Sequence, residues 1–198
     1  WDCLRKLLIC LHSWMMRMNN KLSVNTFEVF TLDQVVKINE EIKKNVLRTQ
    51  QLSEGAQNVS KIGKFSIVQC GPLMKLIHPW LYLCQESNKN IFGYDIEWDF
   101  HLDTLTYNVY DIAGEYGWHV DATDKHQLTG DTKLTCLLNL SEEPYEGGEF
   151  HTIHIDGERK FTSGMGIVFT SLLAHKVTPV TKGERITLTY WATGHTWR

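Results

Sequence analysis

Two textures divide the chain. Between Thr31 and about Asn90, apolar residues recur at helical spacing, whereas from Tyr94 onward short runs of Val, Ile, Thr, Tyr, Phe and Trp alternate with Gly, Asp and Pro. Thr31-Leu32-Asp33-Gln34 has the form of a helix N-terminus: a Thr cap, with a Gln three residues on that can return a hydrogen bond. Val35, Ile38, Ile42 and Val46 then make an apolar face, opposite Lys37, Glu40, Glu41 and Lys44. The polar stretch from Gln50 to Gly63 predicts a connection, followed by a strand from Lys64 to Cys70. A second helix is expected from Pro72, with Leu73, Leu76, Ile77, Trp80, Leu81 and Cys84 as its buried stripe and Pro79 kinking or splitting it.

The second region predicts eight strands: Tyr94–Trp98, Leu102–Tyr110, Tyr116–Asp121, Lys133–Leu140, Glu149–Ile155, Gly166–Thr170, His175–Val180 and Arg185–Ala192. Gly147-Gly148, Asp156-Gly157 and Lys182-Gly183 supply tight turns between neighbours. Short strands behind two helices point to a mainly β fold, a jelly roll (double-stranded β-helix) with N-terminal helices packed on one sheet. At 198 residues the expected organisation is a non-structural leader over 1–17 and one domain over 18–198, with helical support at 27–90 and a β-helix core at 94–192.

Composition narrows the partners. The net charge is −3 and the 20 Lys and Arg are scattered, which argues against a nucleic-acid partner. The apolar run Leu4–Met18 is too short to span a bilayer and is interrupted by Arg5, Lys6, His12 and Arg17, so no membrane association is expected. Five cysteines, odd in number and with no C-x-x-C pair, read as reduced thiols of a cytoplasmic protein. Oligomeric state is not legible.

The sharpest chemical feature is Gly117-Trp118-His119-Val120-Asp121. In a strand, residues two apart share a face, so His119 and Asp121 converge. With a distant second imidazole such a pair makes the facial triad that holds ferrous iron; alone, it is also an ordinary strand pair. His175 supplies the second imidazole, and Arg185 follows on the returning strand, facing the same interior. A buried Arg requires an anion, and its planar fork matches a carboxylate. A dicarboxylate cosubstrate satisfies this if one end chelates iron while Arg185 holds the other and Thr187 adds a hydroxyl.

Three ordered motifs carry a family resemblance: Y-x-x-x-G-x-Y-x-x-H-x-D from Tyr110 to Asp121, G-G-E-F from Gly147 to Phe150, and H-K-V-T-P-V-x-x-G-x-R from His175 to Arg185. They resemble prolyl/lysyl-hydroxylase-type Fe(II)/2-oxoglutarate dioxygenases, closely over Tyr94–Ala192 and in outline over Phe27–Asn90. The resemblance implies that His119, Asp121 and His175 bind Fe(II), that Arg185 binds the distal carboxylate of 2-oxoglutarate and that Tyr110 assists. It also implies O2 as co-substrate, ascorbate in support, release of succinate and CO2, and hydroxylation of a C–H bond, foremost on a prolyl residue of a peptide or protein. One departure is Leu137, where animal prolyl hydroxylases often carry a Tyr, so a cosubstrate hydrogen bond is either missing or supplied by Tyr110. Asp121 argues against halogenation, which uses a small residue there.

Competing readings keep the iron chemistry but place it on a free amino acid, another small molecule or a nucleobase, or drop turnover for a cupin-like binding module. The module has no use for Arg185 near the triad. Among other residues, Ala122–Lys133 is a candidate lid or a plain surface loop, and His126 within it could touch substrate. His151 and His154 should face opposite sides of their strand. Trp118 is expected to pack, Trp191 to pack or wall the pocket, and His195, Trp197 and Arg198 to form a polar tail.

Overall fold

The computed structural model describes residues 24–52, 60–100, 103–122, 131–153 and 161–195. The expected leader, most of the proposed lid, His126, His154, Trp197 and Arg198 lie outside these. The elements in chain order are β1 (Val24–Glu28), α1 (Leu32–Lys44), β2 (Val46–Leu52), β3 (Lys61–Gln69), α2 (Cys70–Ser87) and a π-helical turn (Asn88–Phe92). There follow β4 (Thr104–Tyr110), β5 (Glu115–His119), β6 (Asp131–Asn139), β7 (Glu146–Gly147), β8 (Phe150–Thr152), β9 (Met165–Thr170), β10 (His175–Val177), β11 (Val180–Lys182) and β12 (Arg185–Gly194).

One curled antiparallel sheet runs β1-β9-β6-β12-β4-β3-β5-β10-β8, with β2 paired to β3, while β7 and β11 form a separate ribbon. The strand β3 joins the two walls of the jelly roll. Its Lys64–Gln69 portion pairs with β4 in the larger wall, and Lys61 and Ile62 pair with Tyr116 and Glu115 of β5 in the smaller one.

Strand alternation sorts the larger wall into two faces. On β6, Leu134, Cys136 and Leu138, and on β12, Ile186, Leu188 and Tyr190, join Val35, Ile38, Ile42, Leu73, Ile77, Trp80 and Leu81 of the helices in one buried cluster. The intervening residues, Thr135, Leu137, Arg185, Thr187, Thr189 and Trp191, line a cavity on the other side. The helices therefore pack on one sheet face only, leaving the inner face for chemistry.

Several expected boundaries move for identifiable reasons. The Thr31–Gln34 cap forms, with Thr31 N donating to Gln34 Oε1 at 2.9 Å, but Val46 opens β2 rather than closing the helix. Both β2 and β3 extend into the stretch read as a connection, and β1 was not foreseen. The second helix begins at Cys70 and continues through Pro79 without splitting. The expected strand Tyr94–Trp98 does not form: Asn88 caps the backbone of Tyr94, accepting from its N–H at 3.0 Å and donating to its carbonyl at 2.8 Å, and Trp98 stacks on Tyr190. Pro179 lies between β10 and β11, dividing the single strand expected over His175–Val180. Asp131 and Lys133, at the end of the proposed lid, belong to β6.

Among the described residues no helix is long and apolar enough to cross a membrane.

Candidate active site

Strands β5 and β10 are antiparallel neighbours in which His119 and His175 stand directly opposite each other. Cross-strand partners on one face bring their side chains together, and the two imidazole centroids lie 4.1 Å apart. Asp121 reaches them by a bend rather than by alternation. The strand ends at His119, and the N–H groups of Asp121 and Ala122 both donate to the Ser171 carbonyl, at 2.9 and 3.0 Å. This pin turns the carboxylate back toward the imidazoles: Asp121 Oδ1 is 3.5 Å from His119 Nε2, and Oδ2 is 3.6 Å from His175 Nε2. One donor atom from each of the three side chains lies within 4.8 Å of the others, a spacing that one metal ion can bridge.

Second contacts orient this donor set. His119 Nδ1 is 2.8 Å from the Gly117 carbonyl and His175 Nδ1 is 2.9 Å from that of Leu173. A carbonyl can only accept, so each Nδ1 donates there and Nε2 is left as the ring atom that faces Asp121. Thr135, on β6, donates to Asp121 Oδ2 at 2.6 Å. Burial pushes the Asp121 pKa up, but the His119 hydrogen bond, the two imidazoles and the Thr135 hydroxyl outweigh it, leaving the carboxyl below its ordinary range. Burial likewise holds His175 below the usual imidazole range, against the pull of Asp121. The stable forms are thus a carboxylate and a neutral imidazole, the states that ligate a divalent metal.

Arg185 is 1% exposed and pairs across β12 and β4 with Tyr110. Its guanidinium carbon lies 5.4 Å from the Tyr110 ring centroid and 5.7 Å from that of Phe161. Its Nε is buried with no hydrogen-bond partner, and no described carboxylate pairs with it. A buried cation without a counter-charge is costly, so among the described residues this arrangement suits an anionic ligand. Thr187 and Tyr110 line the same cavity as Arg185 and the three donors, as does Leu137. Burial holds the Tyr110 phenol far above its ordinary range despite Arg185, keeping its hydroxyl protonated and able to donate.

The G-G-E-F motif has a structural part in this. Gly148 has φ +62°, and a Cβ there would stand 2.8 Å from Arg185 Cδ and 3.1 Å from Val180 Cγ2. Only glycine lets this turn lie against the arginine stem.

The structure also gives the motif residue Tyr116 a place and brings in residues that the sequence did not flag. Tyr116 stacks on His119 with ring centroids 3.5 Å apart, and Lys61, at the start of β3, sets its Nζ 4.3 Å from the Tyr116 centroid and 4.1 Å from that of Phe65. Asn108 donates to Thr189 Oγ1 at 2.9 Å on the cavity wall. No local motif announces Lys61, Thr135 or Asn108; only the period-two faces of their strands could have suggested them. Trp191 walls the cavity. Trp118 does point away from the triad, yet it is 48% exposed, with Lys176 Nζ 5.2 Å from its ring, so the expected packing is not found. His151 is half-buried beside Glu149, and His195 is exposed.

The chain resembles known proteins on this same ground. Residues 105–193 match the model of the 2OG-Fe(II) oxygenase superfamily. A PKHD-type hydroxylase of Janthinobacterium sp. (strain Marseille) is 32% identical over 175 residues, 83% of this chain and 75% of that protein. A PKHD-type hydroxylase of Alteromonas mediterranea is 40% identical over 93 residues, 43% of this chain and 41% of that protein. The solved prolyl hydroxylase of Trichoplax adhaerens, in complex with a hypoxia inducible factor oxygen degradation domain peptide fragment, shares the fold. It has a TM-score of 0.63 and 16% identity, covering 95% of this chain and 92% of that one. A relative matched along most of its length and a family model spanning the donor residues agree: the chain belongs to the 2OG-Fe(II) oxygenase superfamily, as a prolyl-hydroxylase-like member.

Proposed function

We propose that this chain works as one dioxygenase domain that hydroxylates an unactivated C–H bond of a prolyl residue in a peptide or protein. In this reading His119, Asp121 and His175 hold Fe(II), Arg185 grips the distal carboxylate of 2-oxoglutarate, and Thr187 and Tyr110 add hydroxyl contacts. The observation that carries it is the buried Arg185, without a described counter-charge, in the same cavity as three metal-competent donors. A non-catalytic module gains nothing from that pairing.

When bound, the iron and its cosubstrate supply the oxidising chemistry: O2 and 2-oxoglutarate are consumed, succinate and CO2 leave, and one oxygen atom enters the substrate C–H bond. The chain's own tasks are orientation and exclusion of water. The Gly117 and Leu173 carbonyls keep both Nε2 atoms aimed inward, and Thr135 fixes the carboxylate. Leu137, Phe150 and Val177 surround the donors with apolar surface. With Leu137 offering no hydroxyl, Tyr110 is the phenol beside Arg185 in the cavity.

A peptide substrate is supported by the Trichoplax relative, whose structure holds a peptide fragment. The described cysteines Cys70, Cys84 and Cys136 are free and buried, in keeping with a reducing cytoplasm; ascorbate would support the iron there. Anaerobic addition of Fe(II) and 2-oxoglutarate tests the cofactor reading through the visible charge-transfer band of their chelate. The band should form in the intact protein, vanish in Asp121→Ala and require far more 2-oxoglutarate in Arg185→Ala. A folded protein with no band at saturating cofactor would overturn the reading.

A further inference from the structure

We propose that Lys61 is a specificity-determining residue, selecting a substrate that carries a carboxylate close to the carbon that reacts. The inference rests on the iron and 2-oxoglutarate reading of the cavity and extends it to the substrate.

Among the described residues two cations line the cavity, and they occupy different places. Arg185 lies against Tyr110 and Phe161, whereas Lys61 lies against Tyr116 and Phe65; the edge-on Phe65–Tyr110 ring pair, with centroids 5.7 Å apart, stands between the two groups. Lys61 is on the side of the iron ligands, since the ring beneath its ammonium is the one stacked on His119. Backbone pairing fixes it there: Lys61 is opposite Tyr116, where β3 crosses from the larger wall to the smaller.

Among the described residues its charge has no ion-pair partner. The ammonium meets two aromatic faces, which attract it weakly, but no described carboxylate makes an ion pair with it. Asp121 acts on it only from a distance, and burial pushes its pKa down to about 8. Ferrous iron, the Asp121 carboxylate, dianionic 2-oxoglutarate and Arg185 together sum to no net charge. Lys61 adds one positive charge that none of them balances, and a half-buried cation on the wall of a substrate cavity gains most from an anion that arrives with the substrate. A carboxylate on the substrate supplies it, either as an acidic side chain beside the target residue or as the terminal carboxylate of a free amino acid.

The test uses the full chain loaded anaerobically with Fe(II) and 2-oxoglutarate and titrated calorimetrically with two matched probe pairs. One pair is the blocked pentapeptides Ala-Ala-Pro-Glu-Ala and Ala-Ala-Pro-Gln-Ala; the other is free proline and prolinamide. In at least one pair the carboxylate member should bind about ten-fold tighter than its amide twin, and the pair that does so identifies the source of the carboxylate. Lys61→Met should abolish the difference and Lys61→Arg should keep most of it, with the 2-oxoglutarate requirement of the charge-transfer band unchanged in both. Lys61→Gln serves as the neutral variant if Lys61→Met does not fold.

No carboxylate preference, including no binding by any probe, would overturn the assignment, as would a preference that survives in the neutral variant. Weakened 2-oxoglutarate binding in the neutral variant would place Lys61 in the cosubstrate site instead. An absent chelate band in the unsubstituted protein would overturn the cofactor reading itself, a failure separate from these.

Discussion

The two faces of β6 and β12 are built from the same backbone, one residue out of phase, and they do opposite work. The outward face, with Leu134, Cys136, Leu138, Ile186, Leu188 and Tyr190, is sealed by the helices. The inward face carries Thr135, Arg185, Thr187 and Thr189, polar residues as hidden from solvent as the apolar ones, alongside the apolar Leu137 and Trp191. Burial alone therefore does not mark a structural residue in this fold. What separates the faces is whether their buried groups are satisfied from within the chain. The strand residues of the outer face are apolar or, like Tyr190 donating to Asp103, paired, whereas the charged Arg185 leaves Nε without a partner among the described residues. The difference teaches that stability and ligand binding are carried by alternate residues of a single strand and can be perturbed independently.

Substitutions on either face measure how far that independence holds. Asp121→Ala should have the largest effect, eliminating turnover and the chelate band while the metal-free protein melts within a few degrees of the unsubstituted one; activity and thermal denaturation assays check both halves. Arg185→Ala removes one partner of a buried charge pair and should weaken 2-oxoglutarate binding by about 2–5 kcal/mol, read from the concentration that develops the band. On the opposite face, Leu138→Ala should cost about 2–5 kcal/mol of folding stability by denaturant titration and leave cosubstrate affinity of the folded fraction unchanged. Thr135→Val keeps the shape of the inward face but loses the hydrogen bond to Asp121, which should reduce iron affinity about 10–100-fold in a chelator competition. Outside both faces, Trp118→Ser should change stability by no more than about 0.5 kcal/mol in the same denaturant titration. A larger change would mean that this exposed ring is part of a packed surface.

Legibility in the sequence followed the range of the interactions. The donor residues could be read because His119 and Asp121 lie only two residues apart, although a bend after β5 rather than strand alternation brings the carboxylate in, and because Arg185 follows His175 closely along the chain, through β11 to the start of β12. Thr31–Gln34 was equally readable, being closed by its own hydrogen bonds. Tyr94–Trp98 has the composition of a strand, but the Asn88 side chain takes the backbone of Tyr94, a competition that composition does not reveal. Val46 continued the helical period and yet starts β2, because its ladder partner, Val68, is supplied from across a chain reversal. Lys61 and Thr135 were silent for the same reason: each becomes significant only through a neighbour from another strand, Tyr116 in one case and Asp121 in the other.

The opposition of His119 and His175 across β5 and β10 also bears on how the molecule assembles. The two imidazoles come from distant points of the chain, so the loop between them must close before a shared metal can be gripped. Contacts of such long range form slowly. A metal that binds only the closed pair stabilises the native state by mass action. It would act as a late clip on the smaller wall, and in a refolding experiment iron should slow the escape of that wall from the native state more than it hastens its arrival.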